Sequence, residues 1–259
     1  MQLSDISIPG IVLVVALVSG AVSLYGFISR SMMSRIIRAG IYMLVSLSVV
    51  GIIAWGLCWI GRWWADLFWA LFMTIAVSVL VVGKIRQPLH PYLLIIVASV
   101  VAGLAVSTGT LLLCFHSISS SALVFAVIAF TSGQLFRVLS VAMQACLGSL
   151  RHTQEHYLYL KANGATHQEA LMPTFRHSLC AAVLPSLTSW AQPLLVAPPA
   201  LACGLLLAGV QPMLALLTTA LAMLSAFVGS VLAAIVMLWL VSRMLFDKQG
   251  MFKYQNAKH

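Results

Sequence analysis

Charged side chains are the scarcest feature of this sequence, and acidic ones are the scarcest of all. Only 7% of the 259 residues are charged, with 5 Asp and Glu against 14 Lys and Arg. A soluble domain carries about 25% charged residues, so this chain has too few to coat a globular surface. Together with 62% hydrophobic residues and a mean hydropathy of +1.05, this scarcity predicts an integral membrane protein.

The five cysteines show no metal-binding or redox spacing. None belongs to a Cys-x-x-Cys motif, and all lie in or beside apolar segments, which is typical of small packed side chains. Cys114 and His116 form one Cys-x-His pair, a combination that suits a soft or borderline metal ion. One pair is too few for a closed site, so packing is the preferred interpretation and no metal site is predicted.

Several catalytic and energy-coupling signatures are also missing. The sequence has no nucleotide-binding Gly-x-x-x-x-Gly-Lys-Ser/Thr motif, so ATP and Mg²⁺, if they drive this protein, bind to a separate ATPase chain. No Asp or Glu lies inside a predicted span, which argues against proton- or sodium-coupled transport. Paired carboxylates and nucleophile–base pairs are lacking as well, so no catalytic residue, no cofactor on this chain and no enzymatic activity are predicted.

Seven apolar runs are long enough to cross a bilayer, which takes about 20 residues. They predict an all-α polytopic membrane protein with a single transmembrane permease domain over residues 1–259. The predicted spans are about 8–28, 39–60, 67–83, 92–115, 122–146, 180–207 and 213–244. No basic residue precedes the first run, unlike in a signal peptide, so the first span is predicted to be retained.

Lys and Arg fall on one side of these spans. Loops one–two, three–four and five–six and the tail at 245–259 carry nearly all of them, whereas loops four–five and six–seven carry none. Because basic loops remain cytoplasmic, the N-terminus is predicted outside and the C-terminus inside, in the cell inner (plasma) membrane. A six-span alternative scrambles this asymmetry. The basic charge therefore indicates topology, and no nucleic-acid partner is predicted.

Tryptophans surround the loop between spans two and three. Their amphipathic rings suit the boundary between lipid and water, so they predict an aromatic belt at the outer face. The residues concerned are Trp55, Trp59, Trp63, Trp64 and Trp69.

A polar cytoplasmic segment at 150–178, here called the elbow, separates spans five and six. Tyr157, Leu160 and Lys161 recur at helical spacing and predict a short helix with one adhesive face. Asn163-Gly164 predicts the end of that helix. The elbow either seats in a groove of a cytoplasmic ATPase or rests on lipid headgroups, and the residues favour neither.

A second helix is predicted directly after the turn. Thr166 and Glu169 match a capping box, and Pro173 is expected to break or kink the helix early. The predicted ATPase-coupling residues are Tyr157, Leu160, Lys161, Asn163, Gly164, Ala165 and Thr166.

Polar residues within spans five and six are candidates for a transport pathway. Gln134 and Arg137 share one face of span five, and in a homodimer two such arginines suit an anionic group; the alternative is that Arg137 snorkels to cytoplasmic headgroups. Prolines break the backbone ladder of span six, which predicts a gate or lined cavity, or else a packing kink. The predicted pathway residues are Gln134, Arg137, Trp190, Gln192, Pro198 and Pro199.

Small residues late in the chain predict close helix packing or a dimer interface. These are Gly204, Gly209 and Gly229, with Pro212 beside them.

The second half of the chain carries a family resemblance. Its motifs are Gly164-Ala165-Thr166, Ser178 with Ala182-Val183-Leu184-Pro185, and Ala197-Pro198-Pro199 continuing through Gly204, Gly209 and Pro212; Gly133-Gln134 adds a weaker match. Together they resemble the FetB-type permeases of ABC transporters, a family of bacterial iron-export permeases and plant aluminium-tolerance permeases.

The resemblance implies the permease half of an ABC transporter. Its cargo is then a metal ion such as iron, or an anionic or amphipathic solute, and export is the expected direction. The implied partners are an ABC ATPase subunit, a second copy of the chain and membrane lipid. Where the family tends to place charges near the start of span six, residues 186–192 are uncharged, which weighs against a cation. The alternative is a non-transport scaffold or regulatory subunit that docks a cytoplasmic partner.

Overall fold

The computed structural model describes residues 30–60, 63–85, 89–114, 121–152, 154–191, 198–207 and 209–245. Within these ranges the chain forms helices and turns and no strand, which confirms the all-α polytopic prediction. The helices are α1 Arg30–Ile60, α2 Trp63–Ile85, α3 Leu89–Cys114, α4 Ser121–His152, α5 Gln154–Ala162, α6 His167–Ala191, α7 Pro198–Leu207 and α8 Pro212–Leu245.

Five of the described helices are long and apolar enough to cross a membrane. They match predicted spans two to five and seven, at Gly40–Leu57, Trp64–Ile85, Tyr92–Cys114, Val124–Leu150 and Pro212–Met244. The first predicted span lies outside the described residues.

Predicted span six covers parts of two described helices. Helix α6 begins in the elbow and ends at Ala191, α7 begins at Pro198, and residues 192–197 lie outside the described residues. Proline is favoured at the first position of a helix, because its missing N–H has no helical partner there.

The described chain forms two compact units. Residues 1–60 form the first, which contains α1, and residues 61–259 form the second, which contains α2 to α8. Helix α4 is central to the second unit, where it contacts α2, α3, α5, α6 and α8. The positions of the elbow and of the residues at Gln134 therefore depend on α4.

Helices α2 and α4 run parallel with a constant offset of 56 residues. Near the outer end, the Trp69 indole N–H donates to the Phe125 carbonyl at 3.2 Å. Near the inner end, Lys84 Nζ donates to Ser140 Oγ at 3.4 Å. Because α2 ends just after Lys84, α4 extends past it by about 18 Å, from Ser140 to His152.

Two predictions about the outer end of α2 are wrong. Trp69 does not belong to an exposed aromatic belt, because it is 2% exposed and packs against Phe72 and Phe125. The statement that no acidic residue lies within a span also fails, because the span in α2 begins at Trp64 and includes Asp66 in its first turn. A carboxylate is favourable there, near the positive end of the helix dipole.

Helix α6 continues through both of its prolines, so of the two expected effects of Pro173 the break is wrong, while the kink stays a prediction. Pro173 removes the hydrogen bond to the carbonyl of Glu169, four residues earlier. Because Glu169 is exposed at the elbow, losing this bond costs less than it would in a buried turn.

Helices α3 and α8 make their closest approach at two glycines. A Cβ added to Gly229 would lie 2.6 Å from the Gly103 carbonyl oxygen, and one added to Gly103 would lie 2.8 Å from the Cβ of Ala233. Gly229 was predicted to permit close contact, whereas Gly103 was not singled out. The absence of both side chains lets the two backbones touch, which is how helices associate tightly in lipid.

Gly103→Ala is expected to destabilise the protein by about 1–3 kcal/mol, because the added methyl overlaps the backbone of α8. Thermal unfolding in detergent measures this as a lower melting temperature. Gly109→Ala on the same helix is the matched control, since an added Cβ there meets nothing within 4 Å. Equal melting temperatures for the two variants would contradict the assigned contact.

Candidate functional site

The first helix of the elbow ends in a hydrogen-bonded turn centred on glycine. Gly164 has a φ of +87°, a left-handed conformation that glycine adopts without steric cost. Its N–H donates to the Lys161 carbonyl, and the Ala165 N–H donates to the Leu160 carbonyl, both at 3.1 Å. These two bonds define a Schellman motif and satisfy carbonyls that the helix end leaves free.

The second helix of the elbow starts with the predicted capping box. The Thr166 N–H donates to a Glu169 carboxylate oxygen at 2.9 Å, and the Thr166 hydroxyl donates to the same oxygen at 2.7 Å. The Glu169 N–H approaches the Thr166 hydroxyl oxygen at 3.4 Å. The hydrogen bonds from Thr166 lower the pKa of Glu169 below its ordinary value of 4.5. With both ends of the turn capped, the angle between α5 and α6 is firmly held.

The inner face of the elbow packs on the protein's own core. Tyr157 is 6% exposed, and Leu160 packs against the same buried cluster. That cluster also contains Leu171 from α6 and Met143 and Leu150 from α4. Tyr157 and Leu160 of the predicted adhesive face therefore attach the elbow to the spans, whereas contact with an ATPase stays a prediction.

The outer face of the elbow carries two large apolar side chains. Tyr159 is 66% exposed and Met172 is 64% exposed, one on each helix of the elbow. Neither residue was predicted to belong to a contact surface, although Tyr159 lies two positions after Tyr157 and therefore on the other side of α5. The exposed residues of this surface, the elbow outer face, are Tyr159, Asn163, Gly164, Thr166 and Met172.

Gln134 and Arg137 have different surroundings. Gln134 lines a small recess between α4, α6 and α8, with an uncharged lining of Phe130, Gln134, Ser186, Met223, Phe227 and Ser230. Arg137 is exposed, outside that recess. The α2–α4 register places Arg137 level with Val81, one turn from the inner end of α2. This depth favours the alternative in which the guanidinium reaches cytoplasmic headgroups.

The other predicted pathway residues surround the junction between α6 and α7. Trp190 lies in the last turn of α6, and Pro198 and Pro199 begin α7. Gln192 lies outside the described residues. The break in span six stays a prediction, because residues 192–197 lie outside the described ranges.

The late glycines serve different purposes. Gly209 has a φ of +83°, and bonds from Gly209 N–H to the Leu206 carbonyl and from Val210 N–H to the Leu205 carbonyl end α7 in a second Schellman motif. A Cβ on Gly204 or Gly209 meets no described atom within 4 Å, so their role in contact between copies of the chain stays a prediction. Pro212 is the first residue of α8.

No group of three or more His, Cys, Asp or Glu that could hold a metal ion occurs within the described ranges. Cys114 is an exposed free thiol at the end of α3. His116, its proposed companion, lies outside the described residues.

Removing the capping box is expected to loosen the start of α6. Thr166→Ala should cost about 1 kcal/mol locally, so amide exchange in the first turn of α6 should accelerate about fivefold. In the unaltered protein, the contribution of Glu169 is present above pH 4.5 and is lost as the pH falls through its lowered pKa. Glu169→Gln retains hydrogen-bonding oxygen without titrating, so its exchange should lack that acid dependence. Identical acid profiles in both proteins would contradict the assignment.

The comparisons with known proteins agree with this architecture at the level of the family. A search of curated proteins and a search of solved structures each found no match. The family model described as "Uncharacterised protein family (UPF0014)" matches residues 8–246. That family consists of ABC-transporter-like permeases, while the closer FetB-type resemblance stays a prediction. With nearly its whole length matched, the chain belongs to this family and is a multi-pass membrane protein of the ABC permease type.

Proposed function

We propose that this chain is the transmembrane subunit of an ABC exporter and that a separate ATPase drives it through the elbow. The observation that carries the proposal is the two-sided elbow. Its inner face shares one core with the spans, and its outer face leaves Tyr159 and Met172 exposed. Exposed aromatic and methionine side chains of this kind are typical anchors of a protein interface.

The proposed mechanism transmits motion through contacts inside the permease. ATP and Mg²⁺ bind to the partner, and its closure displaces the elbow outer face. Because Tyr157 and Leu171 lie in the same cluster as Met143 of α4, the elbow moves together with α4 and α6. The junction between α6 and α7 then acts as the gate, since Pro198 and Pro199 lack the N–H groups that a continuous hydrogen-bond ladder requires.

The proposed cargo is a metal ion such as iron, or an anionic or amphipathic solute, exported across the inner (plasma) membrane by two copies of this chain with two ATPases. The recess at Gln134, Ser186 and Ser230 offers uncharged polar groups beside the proposed gate. A lining without carboxylates suits a solute whose charge is already neutralised better than a bare cation.

The alternative is a non-transport scaffold or regulatory subunit that uses the same elbow outer face. The response of ATP turnover to a small solute distinguishes the two functions. ATP turnover by the purified complex rises with cargo if the chain is an exporter, whereas a scaffold leaves ATP turnover insensitive to solutes.

Affinity purification of the tagged chain in mild detergent tests the partner. Mass spectrometry should identify an ABC ATPase in stoichiometric amount.

Combining Tyr159→Ala with Met172→Gln should reduce the recovery of this ATPase at least about tenfold, because interface anchors contribute about 2 kcal/mol or more. Met213→Gln is the matched control, since Met213 is 76% exposed but lies at the start of α8. A chain that purifies alone, or with a different partner, would overturn the proposal.

Gly164→Ala tests whether the angle of the elbow matters for coupling. An added Cβ meets nothing within 4 Å, so the cost of about 1–2 kcal/mol comes from the left-handed backbone alone. ATP turnover by the complex should lose its response to cargo, while the amount of inserted permease stays unchanged.

Two further variants complete this test. Gly164→Asn should retain more coupling than Gly164→Ala, because Asn tolerates the left-handed region. Gly148→Ala in α4 adds a methyl in equally open space within a helix and should behave like the unaltered protein. Full coupling in Gly164→Ala would show that the turn is not part of the transmission.

A further inference from the structure

Helix α4 is covered on nearly every side, except along one narrow stripe. Between Val124 and Leu150, every other side chain is buried or half-buried, and only four positions are exposed: Ala126, Gly133, Arg137 and Gln144. Their spacing of seven, four and seven residues places them in a single line along the helix. The stripe begins with two small residues and ends with a cation and an amide.

A second cation lies beside the polar end of the stripe. Lys84 Nζ is 3.4 Å from Ser140 Oγ and 5.3 Å from the centre of the Phe136 ring, so two residues of α4 orient it. Ser140 in turn donates to the Arg137 carbonyl at 3.0 Å. Lys84 and Arg137 are both exposed, and neither has an acidic partner among the described side chains. The described part of the chain therefore leaves two neighbouring positive charges without a counter-ion.

The depth of these charges matches the inner membrane boundary. The span in α2 is Trp64–Ile85, which rises about 33 Å and so crosses the hydrocarbon core of about 30 Å. Lys84 lies at its inner end, and Arg137 is level with Val81, one turn deeper. Lys84 Nζ lies between the levels of Phe136 and Ser140, so both cations are about one turn inside this boundary, a distance that long side chains can bridge.

The small-residue part of the stripe has the length of one lipid leaflet. From Arg137 to Ala126 the helix rises about 16 Å, close to half the thickness of the hydrocarbon core. Gly133 leaves the middle of the stripe open, since a Cβ added there would meet nothing within 4 Å. A straight acyl chain that lies along the stripe covers this length.

We propose that this stripe binds one anionic phospholipid of the cytoplasmic leaflet. Arg137 and Lys84 hold the phosphate. Gln144 hydrogen-bonds the part of the headgroup that lies furthest from the acyl chains, and one acyl chain lies along Gly133 and Ala126. Basic groups between helices on the cytoplasmic side are suited to acidic headgroups. A free phosphate ion would use the two cations but not the apolar length of the stripe. The site does not depend on the proposed transport activity.

Native mass spectrometry of the full-length protein in detergent tests the proposal directly. The probes are phosphatidylglycerol and phosphatidylcholine, each with two 16-carbon chains. The unaltered protein should bind one phosphatidylglycerol more tightly than phosphatidylcholine. Arg137→Gln and Lys84→Gln should each weaken phosphatidylglycerol binding about fivefold. Arg176→Gln, which removes an exposed cation from α6, should change nothing. Equal affinity for both lipids, or no effect of either variant, would overturn the proposal.

A steric variant and a competitor separate a lipid from a free anion. Gly133→Leu retains both cations but obstructs the stripe, so it should weaken phosphatidylglycerol binding, whereas Gly109→Leu adds the same bulk in open space on α3 and should not. Millimolar inorganic phosphate should leave the bound lipid in place. Displacement by phosphate, together with normal binding in Gly133→Leu, would show a simple anion site and reject the lipid.

Discussion

One continuous apolar core connects the membrane spans to the cytoplasmic elbow, and the remaining features depend on it. The connection exists because α4 does not end with α2 but extends about 18 Å further. Met143 and Leu150 on this extension share a buried cluster with Tyr157 and Leu171 of the elbow. Fully burying one such side chain is worth about 1.5–3 kcal/mol, so the elbow cannot detach from α4 without a large loss of stability. A force applied to the elbow is therefore transmitted to α4, at the centre of the bundle.

The membrane-embedded part of the bundle buries many small and hydroxyl-bearing residues beside its large apolar ones. Apolar burial drives helix association weakly in lipid, so close van der Waals contact has to replace it. Glycine at the α3–α8 contact permits that approach, and serine and threonine fit equally tight spaces. Their hydroxyls remain satisfied because they donate to carbonyls of their own helix, as in Ser78 to Thr74, Ser178 to Thr174 and Thr219 to Ala215. These hydroxyls are thus buried within a mainly apolar interior without being unpaired.

Local chemistry was predictable from the sequence, whereas the neighbours of each helix face were not. The stop at Gly164 and the Thr166–Glu169 box follow from interactions within a few residues, so the sequence is sufficient for them. Tyr157 and Tyr159 show the limit of what such local interactions can predict. Helical spacing separates them onto different faces, but only the position of α4 decides which face is covered.

The same limit explains the other differences between prediction and structure. Trp69 is buried because α4 begins beside it, which no property of its own segment indicates. Gly103 matters because Gly229 lies opposite, more than a hundred positions away in the chain. Pro173 leaves α6 intact because the carbonyl it frees belongs to an exposed residue. Each case depends either on a contact between segments that are distant in sequence or on exposure to solvent. A local sequence pattern contains information about neither.

The distribution of charge in the bundle restricts what can cross it. Around the recess at Gln134 the lining contains hydroxyl, amide, thioether and aromatic groups and no charge. Moving a bare ion into such surroundings is costly, because no fixed opposite charge replaces its hydration shell. The described cations lie outside this lining. An uncharged lining of this kind therefore favours a solute whose charge is already neutralised over a bare ion.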